Sequence, residues 1–367
     1  MSLSVSFLFG GLSTEYDASI SSLSNIISAY LSIAENERPF TIACMYHLSR
    51  DDGLVRIIDF HDQFTSADLR ARISSPDVGS GHSIHVALDL IASRNQYVVN
   101  LLHGQFGEDG GIQTLAALWG LSGTFGDPHA ASLTMNKFAL STVVCSLFPN
   151  DLVRMPKTTL VKADFIDDAI QFAKSVQGSI VVKPNSLGAS LFAKRFRDPA
   201  VSESDIASLL RTIFRYDSAA LIQEFIDGDE YSCGCLVSSS ATIPLPVVRI
   251  ETSEQFFGHH EKHYPGQADK HLVDCDNDIA RRLQSIAVSI SSTIPLYNMG
   301  RFDFMVSPDN QIYFLECNYI PGLMKNSIYP KMLIGHGMTV IDLISWTSSK
   351  SSQFRRKDHH LSFDTYD

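Results

Sequence analysis

The sequence predicts an α/β protein whose C-terminal part is α+β. Buried-strand patterns alternate with helical segments over roughly the first 128 residues, and the same alternation returns over 129–221. Two β-rich runs within 301–318 then flank the turn Ser307-Pro308-Asp309-Asn310, which is typical of a hairpin. The chain of 367 residues is long enough for two or three domains.

The first unit, residues 1–128, is predicted to be an N-terminal α/β domain. A short apolar run ends in two glycines and leads into a helical stretch rich in Ser, Ala, Ile and Leu. The turn Gly126-Asp127-Pro128 marks its end. Its predicted elements are a strand at 5–11, a helix near 17–33 and further parallel strands at 39–47 and 96–104.

Two further units and a tail follow. Residues 129–221 are predicted to be a central α/β domain, and residues 222–350 a C-terminal domain that contains the hairpin. The polar segment 351–367 is expected to be a tail. The predicted central elements are a helix at 135–147, a strand at 158–161, a helix near 167–176 and a strand at 179–184.

Composition restricts the class of partner. The net charge of −11 argues against nucleic acid or an anionic membrane, so a polyanionic ligand must be met by local Lys and Arg. The six cysteines show no zinc spacing and no disulfide framework, and the first apolar run is too short for a signal peptide or a membrane span. We therefore expect a cytoplasmic protein.

The hairpin carries the most informative side chains. Side chains alternate between the two faces of a strand, so Phe302, Phe304, Tyr313, Leu315 and Cys317 are predicted to face the core. The opposite face then carries Arg301, Asp303, Glu316 and Asn318. A cation beside three hard oxygen ligands suits Mg²⁺ bound to nucleotide phosphates. The alternative is an exposed, salt-bridged face, and a bulge would exchange the faces.

Two other stretches suggest nucleotide contacts. Lys183 closes a β-branched strand before the small-residue loop 184–190, where an ammonium and loop N–H groups can meet phosphates. The strand that begins at 220 leads through Glu224 to Glu230, which can accept hydrogen bonds from ribose hydroxyls. Taken alone, these features also fit a surface lysine and a solvated acidic turn.

Glu15 and His103 each follow a predicted strand and lie near glycine turns. Open α/β sheets bind ligands at the carboxyl ends of their strands, so Glu15 could hold a substrate ammonium. It could equally complement a helix N-terminus, and a single histidine at a strand end is more often structural.

In order along the chain, these segments resemble the D-alanine–D-alanine ligases of the ATP-grasp superfamily. The family patterns GGxSxE, HGxxGEDGxxQ, Met-Asp-Lys, VKPxxxGSS and RxDFxx…xxEvNtxPGxTxxS are similar to the segments FGGLSTE, HGQFGEDGGIQ, Met135-Asn136-Lys137, VVKPNSLGAS and RFDFMV…FLECNYIPGLMKNS. The resemblance implies an ATP-grasp fold of three domains, with the nucleotide between the central and C-terminal domains. It also implies that residues 1–128 form a substrate domain, 129–221 the central ATP-grasp domain and 222–350 the catalytic ATP-grasp domain.

The resemblance also implies an ADP-forming carboxylate–amine ligase that works through an acyl phosphate. ATP and two Mg²⁺, with Mn²⁺ as a substitute, would be the cofactors, amino acids the substrates and a homodimer the assembly. The implied metal ligands are Asp303, Glu316 and Asn318, and the implied catalytic residues are Glu15, Arg301, Gly322 and Ser190. The implied nucleotide contacts are Lys137, Lys183, Gln223, Glu224, Glu230 and Lys262, and the implied substrate contacts are Glu15, His103, Ser327 and Ile328.

Departures from the family pattern cluster around the substrates. Ala189 stands for a serine, Phe192 for a glycine, Gln223 for a glutamate and Met324 for a threonine. The loop 256–267 aligns in two ways. Lys262 matches a phosphate-contacting lysine, or His259-His260-Glu261 resembles the histidine loop of D-alanine–D-lactate ligases. D-Alanine is the expected substrate. A ligase for other amino or hydroxy acids in specialised metabolism and, more remotely, a non-catalytic nucleotide-binding protein are the alternatives.

Overall fold

The computed structural model describes residues 3–74, 81–252, 268–350 and 354–355. The predicted loop 256–267, with Lys262 and its histidines, lies outside the described residues, as does nearly all of the predicted tail. Within the described ranges, no helix has both the length and the apolar character needed to cross a membrane.

The N-terminal part is built on a five-stranded sheet in the order β3-β2-β1-β4-β5. The predicted parallel pairing is confirmed for β1 with β2 and β4, and only β3 runs antiparallel to its neighbour. Phe7 and Phe9 enter one core cluster and Leu8 enters another, because alternate residues of a strand covered on both faces point to opposite layers. The elements are β1 Leu3–Gly10, α1 Tyr16–Leu31, β2 Phe40–Leu48, β3 Val55–Asp59, α2 Ser66–Ser74, α3 Ile84–Arg94, β4 Tyr97–Asn100, α4 Gly111–Trp119 and β5 Ser122–Gly123.

The predicted helix 135–147 is found as α6, which begins two residues later at Lys137 and ends at Leu147. Asn136 has a non-helical ψ of 95°, and its side chain accepts a hydrogen bond from the Ala139 N–H as an N-cap. A further helix that was not predicted, α5, precedes this cap and ends at Met135. The bounds are α5 Pro128–Met135 and α6 Lys137–Leu147.

The central sheet has four strands in the order β7-β10-β8-β9, and all of its pairings are antiparallel. Two helices cover one face through a common apolar cluster. The border predicted between residues 221 and 222 falls inside β10. The elements are β7 Thr158–Val161, α7 Ile166–Ser175, β8 Ile180–Pro184, β9 Lys194–Phe196, α8 Glu203–Ile213 and β10 Ala220–Glu224.

The C-terminal part is built on a seven-stranded sheet in the order β14-β13-β11-β15-β16-β6, with β12 paired to β11. The predicted hairpin is confirmed as β15 and β16, and β11 pairs with β15 on its other side. The elements are β6 Val153–Arg154, β11 Asp229–Val237, β12 Thr242–Pro244, β13 Val248–Thr252, β14 Ala268–Leu272, α9 Asp278–Thr293, β15 Asn298–Val306, β16 Ile312–Asn318, α10 Ile328–Gly335 and α11 Val340–Lys350.

Candidate active site

Two cavities meet at one pair of side chains. The first, called here the cleft, lies between the central and C-terminal sheets and comprises about 860 Å³ of empty space, part of which is open to solvent. The second, called here the pocket, lies between the N-terminal and C-terminal parts and comprises about 950 Å³, also partly open to solvent. Lys137 and Glu316 line both cavities, and Lys137 Nζ lies 3.4 Å from Glu316 Oε2. A group bound at this pair is therefore within reach of ligands in both cavities.

The hairpin has a bulge that changes the predicted faces. Asp303 pairs with Glu316, but Phe304 pairs with Phe314, so Leu315 is the extra residue. The predicted site face, Arg301, Asp303, Glu316 and Asn318, is preserved. The prediction that Tyr313 and Leu315 face the core is wrong, because beyond the bulge Phe314 and Ile312 take the core positions and Leu315 lines the cleft.

The Asp303 carboxylate accepts four hydrogen bonds from side chains of the site. Arg301 donates to it twice, from Nε at 2.9 Å and from Nη2 at 2.7 Å. Ser232 Oγ donates at 2.5 Å and Asn318 Nδ2 at 3.0 Å. Burial disfavours the charge of Arg301, but the neighbouring carboxylate of Asp303 outweighs burial and raises the pKa of the guanidinium. The cation is therefore fixed in place and charged at all physiological pH values.

The donor set fits Mg²⁺ in chemical type. Two carboxylates and an amide supply hard oxygen ligands, and Lys137 beside Glu316 adds a cation for phosphate. The four hydrogen bonds to Asp303 fill the lone-pair sites of its carboxylate. A cation bound there must replace at least one of them. Rotation of the Asn318 amide would exchange its N–H donor for an oxygen ligand.

The loop after β8 is held against the start of α6. Lys137 N–H donates to Asn185 O at 3.1 Å, and Lys137 Nζ donates to Leu187 O at 2.7 Å. Asp217 accepts from the Ser186 N–H at 2.6 Å. These bonds place Lys137 at the loop that the sequence suggested for phosphate. Asn185 Oδ1 also accepts from the Phe138 N–H, 47 positions away along the chain, so the fold brings the two segments together.

The predicted nucleotide residues gather around the cleft. Lys183, Gln223, Glu224 and Glu230 all line it. Gln223 is buried and donates from Nε2 to Thr158 Oγ1 at 2.9 Å, whereas the Glu224 carboxylate accepts from the Lys157 N–H at 2.8 Å. The Glu224 side chain therefore binds the backbone just before β7, and the Glu224 N–H in turn donates to Lys157 O at 2.9 Å.

The loop contains three residues within a stretch of four, 189–192, that depart from ordinary backbone conformation. Ala189, Ser190 and Phe192 have φ values of 52°, 52° and 56°, which are unfavourable for residues with a Cβ. Ser190 lines the cleft, whereas Ala189 lines the pocket, so the hydroxyl that the chain keeps is on the nucleotide side. The Phe192 ring stacks on Tyr216 with a centroid separation of 5.1 Å.

Glu15 lies at the other side of this loop. A Cβ added to Gly188 would lie 2.1 Å from Glu15 Oε2, so the carboxylate packs directly on the glycine backbone. The Glu15 N–H donates to Ser13 Oγ at 3.1 Å, and Ser13 Oγ donates to His103 O at 2.5 Å. The structure therefore brings Glu15 and His103 together in the pocket, as the sequence predicted.

Glu108 is an acidic residue of the pocket that the sequence reasoning did not assign. Its carboxylate accepts from the Gly104 N–H at 2.7 Å and from the Ile320 N–H at 2.9 Å. Burial, followed by the charge of Glu15, raises the pKa of Glu108 to about 8. Burial lowers the pKa of His103 to about 4, so this histidine is neutral near pH 7.

The far end of the pocket is formed by the segment after the hairpin. Gly322, Met324, Ser327 and Ile328 line it, and Ser327 is the N-cap of α10. Lys270 of β14 also lines the pocket, and its Nζ donates to Asn326 O at 2.8 Å. Lys270 and Ser232 are further residues that the sequence reasoning missed. Ser232 could be found only by pairing β11 with β15, where it lies opposite Asp303.

All predicted site residues within the described ranges therefore lie at the cleft or the pocket. Lys262 lies outside those ranges. The members that line the cleft, the pocket or both are Glu15, His103, Lys137, Lys183, Ser190, Gln223, Glu224, Glu230, Arg301, Asp303, Glu316, Asn318, Gly322, Ser327 and Ile328.

Known proteins share this architecture. The solved D-Ala:D-Ser ligase VanG from Enterococcus faecalis superposes with a TM-score of 0.73 at 23% identity, covering 94% of this chain and 98% of that protein. The D-alanine–D-alanine ligase from Coxiella burnetii gives a TM-score of 0.71 at 22% identity, covering 94% of this chain and 93% of that protein. At these identities the likeness shows the fold, which confirms the predicted class.

Sequence comparison gives the family. A D-alanine–D-alanine ligase from Clostridium beijerinckii is 28% identical over 255 residues, covering 70% of this chain and 80% of that protein. One from Lactococcus lactis is 24% identical over 364 residues, covering 96% and 97%. The family profile described as D-ala D-ala ligase C-terminus matches residues 151–346, which is more than half of the chain. The chain therefore belongs to the D-alanine–D-alanine ligase family of the ATP-grasp superfamily.

Proposed function

We propose that the protein is an ATP-dependent ligase that joins two amino acids, with D-alanine as the substrate of first choice, through an acyl phosphate. One observation supports this most strongly. Lys137 and Glu316, 3.4 Å apart, line both the cleft and the pocket. A γ-phosphate at that pair lies between a nucleotide in the cleft and a carboxylate in the pocket, as phosphoryl transfer requires.

The reaction has two bond-forming steps. A carboxylate oxygen of the first amino acid attacks the γ-phosphorus, and the bond to the β-phosphate oxygen breaks to release ADP. The amine nitrogen of the second amino acid, after losing a proton, then attacks the carbonyl carbon. Phosphate leaves with the carboxylate oxygen, and an amide remains. Charge develops first on the phosphoryl oxygens and then on the tetrahedral oxyanion.

Residues of the cleft would bind ATP. Lys137 and Lys183 supply cations for the phosphates, and Ser190 lies on the same side. Glu230 is the candidate acceptor for ribose hydroxyls, and the C-terminal end of β10, at Gln223 and Glu224, is the candidate adenine contact. Asp303, Glu316 and Asn318 would hold Mg²⁺, or Mn²⁺ in its place, with two ions as the family resemblance implies. When bound, the cation neutralises phosphate charge.

Residues of the pocket would bind the amino acids. Glu15, with His103 beside it, is the candidate contact for the ammonium of the first substrate. Arg301 and the Gly322 N–H are the candidate donors to the oxyanion, because preorganised donors stabilise charge that develops in the transition state. Ser327 and Ile328, at the start of α10, are the candidate contacts for the carboxylate of the second substrate.

The test is ADP release from ATP and Mg²⁺ against a panel of amino-acid pairs, with the product identified by mass. We expect release that depends on the pair, with D-alanine pairs foremost, and a dipeptide as product. Glu316→Gln should lower turnover at least a hundredfold while the thermal unfolding temperature stays within a few degrees. ADP release that does not depend on any amino acid would contradict the proposal.

The assembly and the location of the protein remain predictions. A homodimer is expected from the family resemblance, and light scattering of the purified chain measures its molar mass. A cytoplasmic location is expected from the composition, and fractionation of cells that express the full chain tests it.

A further inference from the structure

We propose that Lys270 binds the α-carboxylate of the second amino acid and so selects acceptors that carry a carboxylate. This inference rests on the proposed function, because it concerns the acceptor end of the pocket. Lys270 belongs to β14 and lies outside every motif by which the chain resembles its family.

Strand geometry directs Lys270 towards helix α10. Residues two apart on a strand share a face, so Lys270 and Leu272 point the same way. Leu272 lies against the C-terminal end of α10, since a Cβ added to Gly335 would be 3.0 Å from Leu272 Cδ1. Lys270 meets the other end, where its Nζ donates to Asn326 O at 2.8 Å. The carbonyl holds the ammonium beside Ser327.

The same place is suited to an anion for a second reason. Ser327 has the extended backbone of an N-cap, yet its side chain makes no capping hydrogen bond to α10. The N-terminus of a helix carries partial positive charge and N–H donors that point outwards. An ammonium, a hydroxyl and a helix N-terminus therefore converge on one wall of the pocket, which is the donor set that a carboxylate requires.

The anion that Lys270 would bind belongs to an amino acid and not to the nucleotide. Lys270 lines the pocket but does not line the cleft, whereas Lys183 lines only the cleft and Lys137 lies at the junction of the two. The first substrate is expected at Glu15, which packs on Gly188. The acceptor carboxylate is the remaining anion, and Lys270 would orient it so that the amine faces Arg301 and Gly322.

The experiment compares Lys270→Met with Lys325→Met. The two variants lose the same charge, but Lys325 is exposed and lines neither cavity. The assay uses a donor and an acceptor that differ, so that each KM is measured separately. We expect Lys270→Met to raise the acceptor KM by about tenfold to a hundredfold, the range of a charge-assisted hydrogen bond, while the donor and ATP KM values change less than about threefold. Lys270→Arg should restore most of the loss, and Lys325→Met should behave as wild type.

An acceptor without a carboxylate separates recognition from a structural effect. D-Alaninamide can act only as an acceptor, and wild type should use it much less well than D-alanine. Lys270→Met should raise the KM for D-alanine but leave the KM for D-alaninamide nearly unchanged, because the amide has no carboxylate for Lys270 to bind. The preference for D-alanine over D-alaninamide should therefore fall by about the same factor by which the D-alanine KM rises. The assignment of Lys270 would be overturned if Lys270→Met left the D-alanine KM unchanged or raised the D-alaninamide KM by the same factor. It would also be overturned if the variant raised the ATP KM instead of the acceptor KM.

The proposed function is tested separately by wild type in the same assay. If wild type forms no dipeptide with any pair, the proposed function fails and this inference fails with it. If wild type is active and Lys270→Met keeps its acceptor KM, only the role of Lys270 is wrong. Should Lys270→Met be unstable, Lys270→Gln allows the same comparison.

Discussion

The Glu108 carboxylate accepts a 2.9 Å hydrogen bond from the backbone N–H of Ile320, which lies 212 positions further along the chain. Its other oxygen accepts from Gly104, next to His103. The Glu108 side chain thus joins the loop after β4, which carries His103, to the segment that carries Gly322. These two parts of the pocket are far apart in the sequence, and Glu108 fixes their relative position.

The raised pKa of Glu108 predicts a pH dependence of stability. The pKa of Glu108 is about 8 in the folded protein, whereas its ordinary value, 4.5, applies to the unfolded chain. The folded state therefore binds more protons between these values, and the free energy of unfolding should fall as pH rises, by at most about 1.4 kcal/mol per pH unit. The lowered pKa of His103 acts in the opposite direction, but only below about 6.5.

The measurement for Glu108 is chemical denaturation of the ligand-free protein from pH 6.5 to 8. Glu108→Gln should remove the fall that wild type shows in this window. Glu37→Gln, which changes an exposed glutamate, should keep it. If the free energy of unfolding depended on pH in the same way for wild type and Glu108→Gln, Glu108 would be ionised over the whole range from pH 6.5 to 8.

Arg301→Lys should not be a conservative change. The guanidinium donates two hydrogen bonds to Asp303 and still presents further donors, whereas an ammonium is a point charge. We expect kcat to fall at least about a hundredfold with little change in the KM values, because the oxyanion exists only in the transition state. Arg249→Lys, at an ion pair with Asp229 on the same sheet, is the matched control and should stay within about twofold of wild type. A pure rise in KM for Arg301→Lys would make Arg301 a ground-state contact.

Gly188→Ala should impair the first substrate without unfolding the protein. The added methyl group would collide with the Glu15 carboxylate at 2.1 Å, and a flexible side chain can move away. We expect the donor KM to rise about tenfold or more while the unfolding temperature changes little. Gly178→Ala should show the reverse pattern, because Gly178 has a φ of 88° and no atom within 4 Å. Unchanged donor kinetics in Gly188→Ala would remove Glu15 from the donor site.

Phe192 predicts a difference between two truncations. Both Phe192→Ala and Phe192→Gly lose the stack on Tyr216, which contributes roughly 0.5–1.5 kcal/mol. Only glycine relieves the φ of 56°, so Phe192→Gly should be the more stable of the two by about 1 kcal/mol. The free energies of unfolding measure this. Equal stabilities would mean that the loop does not keep its left-handed conformation when the ring is removed.

Local patterns predicted much of the fold because they report burial. Strand 158–161 agrees with the structure residue for residue, and the hairpin and its site face were also predicted. The bulge at Leu315 was not, since an extra residue in a strand leaves the apolar pattern unchanged and is decided by packing of Phe314 and Ile312 in the core. The start of α6 after Asn136 likewise depends on a cap and on bonds to the distant Asn185.

Site residues divide in the same way. Arg301, Asp303, Glu316 and Asn318 share one hairpin, so alternation alone places them together. Glu108 and Lys270 were missed because their partners, Ile320 and Asn326, lie far away along the chain. A sequence pattern carries no direct signal for a contact that only the tertiary fold creates.

The transfer of oxygen from substrate to phosphate tests the central proposal most directly. The first amino acid is supplied with both carboxylate oxygens labelled with ¹⁸O, together with ATP, Mg²⁺ and the second amino acid. If an acyl phosphate forms between the cleft and the pocket, each phosphate released should carry one ¹⁸O atom and the amide should keep the other, as mass spectrometry of both products would show. Unlabelled phosphate beside a labelled dipeptide would contradict phosphoryl transfer to the carboxylate and, with it, the role assigned to the junction at Lys137 and Glu316.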